Sequence, residues 1–116
     1  MKLMTEELKR ELPALYTQEG SPDAIVHGHF YIGQWHWYAT EFDGEDIFFG
    51  FVVGHEPELG YFSLSELEQV QVEQKIIEAD AVPDGERRTF KVPVRVERDA
   101  YWKPTLLSII RKQHGA

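Results

Sequence analysis

Between Trp35 and Val53 the chain runs through two apolar, aromatic segments, WHWYATEF and DIFFGFVV, separated by Asp43-Gly44-Glu45. In the first, Trp37 and Ala39 oppose Tyr38 and Thr40, the two-residue period of a strand. The second is apolar nearly throughout, which predicts a strand lying inside a sheet. Asp43-Gly44 can supply the positive φ angles of a tight hairpin turn or part of a slightly longer one. A chain built around this hairpin must form a sheet and must cover it.

The flanking residues supply the cover. Thr5 is placed to cap a helix with Glu6 and Glu7 in its first turn, and Leu8, Leu12 and Leu15 recur at helical spacing. Pro13 limits that helix to about two turns. The TQEGSPD stretch has loop composition. Ala24 to Ile32 alternates, with Val26, Phe30 and Ile32 on one face and Ile25, His27, His29 and Tyr31 on the other. Gly33-Gln34 turns it into the Trp35 strand. Gly54 to Gly60, stiffened by Pro57, reads as a loop, and Tyr61-Phe62 as a brief return to the sheet. Ser63-Leu64-Ser65-Glu66 fits a capping box at the head of a second helix. Val70–Val82 and Arg87–Glu97 flank the turn signal Pro83-Asp84-Gly85-Glu86 and predict a hairpin, with Pro93 marking a sheet edge or bulge. Pro104 in a first helical turn predicts a terminal helix carrying Leu106, Leu107, Ile109 and Ile110.

A length of 116 residues, 42% hydrophobic and 13% aromatic, suits one packed core. The expectation is a single α+β domain over residues 1–116: a twisted, mainly antiparallel sheet of five or six strands with about three short helices. No apolar run reaches a membrane-spanning length of about 18 residues, and the N-terminus lacks a signal-peptide core. The absence of cysteine removes disulfides and thiolate metal sites. Together these features predict a cytoplasmic domain that does not enter the membrane.

The formal net charge of −8 is unevenly spread. Residues 41–80 hold eleven acids against the single base Lys75, while residues 81–116 hold four acids and eight bases. Affinity for nucleic acid comes from Lys and Arg neutralising phosphates, so direct binding through the middle of the chain is not expected.

The blocks WYATEFDGED, FFGFVVGHEPELGYFSLSELE and VERDAYWKP, with the opening MTEELKRELPALY, resemble a small bacterial family known as domain of unknown function 2958. Relative to the family's pattern, an added strand-like segment at residues 71–91 separates the ELE helix from VERD. The resemblance implies a small α+β domain and a setting among plasmids, integrative elements and phages. It implies no catalytic residue and no cofactor.

Several constellations compete for a role. Glu41, Asp43, Glu45, Asp46, Glu56 and Glu58, if gathered at one end of the hairpin, form an anionic ridge. Such a ridge could occupy the basic surface of a nucleic-acid-binding host or element-encoded protein, with charge steering the encounter. This favours a non-enzymatic interaction protein, an inhibitor imitating nucleic-acid charge among the forms it could take. The alternative is a small hydrolase or metal-dependent enzyme using His55, Glu56 and neighbouring acids. His27-x-His29 is a spacing used by metal sites, with His36, His55 or Glu56 as third ligand, although two histidines on a strand are more often solvent-facing or hydrogen-bonded. Arg87, Arg88, Lys91, Arg95 and Arg98 offer a basic strand for nucleic acid, diluted by Glu86, Glu97 and Asp99. Asp43-Gly44-Glu45-Asp46 resembles a calcium loop but lacks its later glycine and glutamate, so a turn role suffices. The aromatics Trp35, Trp37, Tyr38, Tyr61 and Trp102 are read first as packing residues.

Overall fold

The computed structural model describes residues 2–78 and 88–116. The chain is α+β, with the order α1 Glu6–Glu11, β1 Ile25–Val26, β2 Gly28–Ile32, β3 Trp35–Phe42, β4 Ile47–Val53, β5 Pro57–Ser63, α2 Leu64–Gln69, β6 Gln71–Glu78, β7 Arg88–Arg95, β8 Glu97–Arg98, β9 Thr105–Leu106 and α3 Leu107–Gln113. An antiparallel five-stranded sheet in the order β5-β4-β3-β2-β8 forms the body, and β1 with β9 and β6 with β7 make two separate two-stranded ladders. Among the described residues, no helix is long and apolar enough to cross a membrane.

Local chemistry accounts for most of these elements. The Leu8 N–H donates to Thr5 Oγ1 at 3.1 Å, opening α1. Gly33, at φ 57°, turns β2 into β3, so that Ile32 faces Trp35. The β3–β4 connection is the longer form of hairpin: Asp43 Oδ1 accepts the N–H groups of Glu45, Asp46 and Ile47, and Gly44 takes φ 91°. Ser63 Oγ accepts the Glu66 N–H to start α2, and Asp46 completes that end by binding Ser65.

The sheet buries both faces. Phe30, Ile32, Trp37, Ala39, Phe42, Phe48 and Phe62 pack on one side with Leu8 and Leu12 of the α1 segment and Leu67 of α2. On the other side Tyr38 and Phe51 pack with Val26, Leu107 and Ile110.

Three expectations are corrected. The strand expected from Ala24 to Ile32 breaks at His27, where β1 leaves the sheet to pair Ile25 with Leu106 and Val26 with Thr105. Val26 therefore joins the α3 side, whereas Phe30 joins the α1 side. The loop expected from Gly54 to Gly60 is mostly strand, because Pro57 stands first in an edge strand and its missing N–H costs no ladder bond. The terminal helix begins at Leu107 rather than near Pro104, since Thr105 and Leu106 are held in the ladder with β1 and the Leu107 N–H donates to Ala24 O. The hairpin of β6 and β7 forms as expected, Gln71 opposite Arg95 through Glu78 opposite Arg88; the turn signal Pro83-Asp84-Gly85-Glu86 lies outside the described residues.

Candidate functional site

In strict alternation Glu41 would share a face with Trp37 and Ala39 and point into the apolar α1 side. It does not, because β3 carries a bulge: the register with β4 shifts between Ala39 opposite Gly50 and Glu41 opposite Phe49, leaving Thr40 as the extra residue. Thr40 Oγ1 donates to Phe49 O at 3.0 Å and fixes the irregularity. Beyond it the phase is inverted, so Phe42 enters the α1-side core and Glu41 turns to the α3 side.

There Glu41, 4% exposed, organises the loop between α1 and β1. Its Oε1 accepts the Tyr16 N–H at 2.9 Å and its Oε2 the Gln18 N–H at 2.7 Å. Gln18 continues the tie, its amide donating to Thr40 O at 2.8 Å and its side-chain oxygen accepting the Ile25 N–H at 2.6 Å. Tyr16 is held at φ 71°, the one non-glycine residue at positive φ among the described residues. For a tyrosine that conformation costs about 1–2 kcal/mol, so the two carboxylate bonds hold a strained backbone in place.

The pinned loop forms one wall of a cleft of about 660 Å³. Leu107, Ser108 and Arg111 of α3 form the facing wall, and Thr40, Phe49, Leu59 and Tyr61 form the floor. Asp23 joins the walls, accepting the Ser108 N–H at 3.1 Å and its hydroxyl at 2.5 Å. The Phe49 and Tyr61 rings lie 5.0 Å apart. The neighbouring Tyr16 hydroxyl raises the Tyr61 pKa above its ordinary value. Charge in the cleft is acidic, Glu19, Asp23 and Glu41 against Arg111, whose guanidinium lies 5.8 Å from the centre of the Phe51 ring. A half-apolar cavity of this size with a few fixed polar groups has the character of a binding site.

Beside the cleft, the rings of β2, β3 and α3 make a histidine chain. Asp99 Oδ2 lies 3.4 Å from His29 Nδ1, His29 Nε2 lies 2.8 Å from His36 Nδ1, and His114 Nε2 lies 2.7 Å from the Tyr38 hydroxyl. Burial lowers the pKa of both His29 and His36, and it pushes Tyr38 up to about 12. His36 and His114 line neither of the two cavities described here, and this chain ties the end of α3 to the sheet. His27 lines a second cavity of about 110 Å³ together with His29 and Asp99 of that chain and with Glu7, Glu11 and Arg98. Its pKa is lowered by burial, against an opposing pull from Glu11.

The sequence-selected residues are not gathered into one site. Glu41 is buried, Asp43 is engaged by its own turn, and Asp46 holds Ser65, while Glu45 is exposed beside them. Glu56 and Glu58 sit at the opposite end of β4, because Val53 pairs with Pro57 and Ile47 with Ser63. That length of strand puts Glu56 about 20 Å from the Asp43–Asp46 turn, and with Glu41 buried between them the six carboxylates form no continuous ridge. His55 and Glu56 are exposed on the β4–β5 turn, with His55 edge-on to Trp35. His29 meets His36 rather than completing a set with His27, and among the described residues no three His, Asp or Glu side chains are arranged to hold a metal ion. Of the basic strand, Lys91 pairs with Glu73 at 3.7 Å and Arg95 binds Glu68 O and Gln71. Arg98 lines the small cavity, Arg88 stands at the start of β7, and Arg87 lies outside the described residues.

Sequence reading missed Tyr16, Gln18, Leu59 and Arg111 as cleft residues. Only one signal pointed there: a lone carboxylate, Glu41, in phase with Trp37 and Ala39. A charge cannot be buried unpaired, so either the phase had to break or partners had to reach it.

No curated protein and no solved structure matches the chain. A family model described as protein of unknown function (DUF2958) matches residues 3–89, taking in the cleft floor, the bulge and the pinned loop but not α3 or the VERDAYWKP block. The match covers most of the chain, which therefore belongs to the DUF2958 family.

Proposed function

We propose that the chain is a non-enzymatic accessory protein that works by contact, taking a basic segment of a protein partner into the acidic cleft under Glu41. In this reading it serves a mobile genetic element, the setting that the family resemblance implies, and acts on a host or element-encoded protein. The observation carrying the reading is the cleft itself: about 660 Å³, walled by a loop that Glu41 pins in a strained conformation. Strain of this kind is retained where a surface must be preformed, and a preformed surface binds without the entropy of ordering it. Glu19, Asp23 and Glu41 outweigh Arg111 there, which favours a cationic occupant. The wider charge-imitation idea narrows accordingly, since the carboxylates at the two ends of β4 cannot act as one surface.

Site-specific photocrosslinking in bacterial lysate tests this. A photoreactive residue at Leu59, on the cleft floor, is expected to give adducts that disappear with Glu19→Lys. The same probe at Ile109, exposed on α3 outside the cleft lining, gives none of them. Identical adducts at both positions, or none at Leu59, would overturn the proposal.

A further inference from the structure

β5 is the outer strand of the main sheet, and among the described residues no strand lies beside its free edge. The phase of its ladder can be read from one bond. The Leu64 N–H donates to Asp46 O at 2.8 Å, extending the register in which Ile47 faces Ser63. Asp46 and Leu64 are thus in the hydrogen-bonded phase, and antiparallel pairs alternate. Phe48 with Phe62, Gly50 with Gly60, and Val52 with Glu58 follow as the hydrogen-bonded pairs. The backbone N–H and C=O groups of Leu59 and Tyr61 therefore point away from β4.

Those same two residues are 45% and 57% exposed, lie two apart on one face of the strand, and form the open side of the cleft floor. Free main-chain groups and the cleft's apolar side chains thus belong to the same positions. The usual protections of an edge are slight here, amounting to Pro57 at its first residue and one charge, Glu58.

Resting on the cleft reading above, we infer that β5 receives an extended, basic segment of a partner protein as a sixth strand of the sheet. The segment pairs with the backbone of Leu59 and Tyr61. Alternate side chains drop over Phe49 and Tyr61 into the cleft, where Lys or Arg meets Glu19 and the buried Glu41 adds to the negative potential. A second copy of the chain fits this edge less well. Two-fold pairing about Gly60 would bring two acidic clefts together on molecules that each carry −8.

A phage-displayed library of random decapeptides, selected on the full chain, tests the inference. Enriched peptides are expected to carry Lys or Arg. Single N-methylation along such a peptide should weaken binding about tenfold at every second position, as loss of one main-chain hydrogen bond requires. Tyr61→Pro, which removes an outward N–H and leaves the β4 ladder intact, should weaken it similarly beyond the loss in Tyr61→Ala, which also lacks the ring but keeps that N–H. A flat N-methylation profile with binding still lost in Glu19→Lys would overturn strand addition while leaving the cleft as the site. Peptides indifferent to both Glu19→Lys and Tyr61→Pro would overturn the cleft reading itself. Failure to enrich any peptide, or a dimer in sedimentation that Tyr61→Pro dissolves, would also overturn the basic strand.

Discussion

Nε2 of His29 and Nδ1 of His36 stand 2.8 Å apart, so one ring must donate to the other and both cannot carry a second proton without losing the bond. Burial lowers both pKa values, and His114 lowers each further, while Asp99 pulls His29 the other way. The unfolded imidazoles, near the ordinary 6.5, take up protons before the folded ones as pH falls. Stability is therefore full above that value and is lost as pH drops through it toward the lowered folded pKa. Melting temperature should fall between about pH 7.5 and about pH 5.5, and His36→Phe should flatten the fall. Equal pH slopes for the two proteins would show that the histidine chain is not responsible.

Glu41→Gln keeps the shape of the side chain but sets an amide N–H₂ against a backbone donor. One of the Tyr16 and Gln18 N–H groups then lacks an acceptor, at a cost of about 1–3 kcal/mol. Urea denaturation should show that loss, and hydrogen exchange should show faster exchange at those two amides while β2 amides stay protected.

Two glycines separate backbone from side-chain crowding. A Cβ at Gly50 would lie against Tyr38 O, a main-chain atom inside the sheet, whereas the nearest atoms to a Cβ at Gly54 belong to the half-exposed Trp35 indole. Gly50→Ala should cost about 3 kcal/mol or more, and Gly54→Ala about 1 kcal/mol as the indole moves aside. Denaturant midpoints of the two variants measure the order directly.

Local chemistry carried much of the fold into view from sequence. Thr5 and Ser63 are caps whose spacing to Leu8 and Glu66 fixes two helix starts, and Gly33 is the turn its composition announces. What stayed hidden depends on partners far along the chain. Nothing near His27 says that the strand will break there, because the break depends on Thr105 and Leu106 offering another ladder. Pro57 and Gly60 have loop composition, yet pairing with β4 overrides it at an edge. The cleft needed three such distant events at once: the Thr40 bulge, the bonding of Glu41 to the loop at Tyr16, and the docking of α3 by Asp23 on Ser108.

Amide chemical-shift mapping with a selected Lys- or Arg-containing decapeptide tests the central claim most directly. Binding in the cleft should move the resonances of Tyr16, Gln18, Phe49, Leu59, Tyr61 and Arg111, with affinity falling as salt rises. Shifts confined to the Asp43–Asp46 turn, to Glu56, or to the β6–β7 hairpin would contradict it.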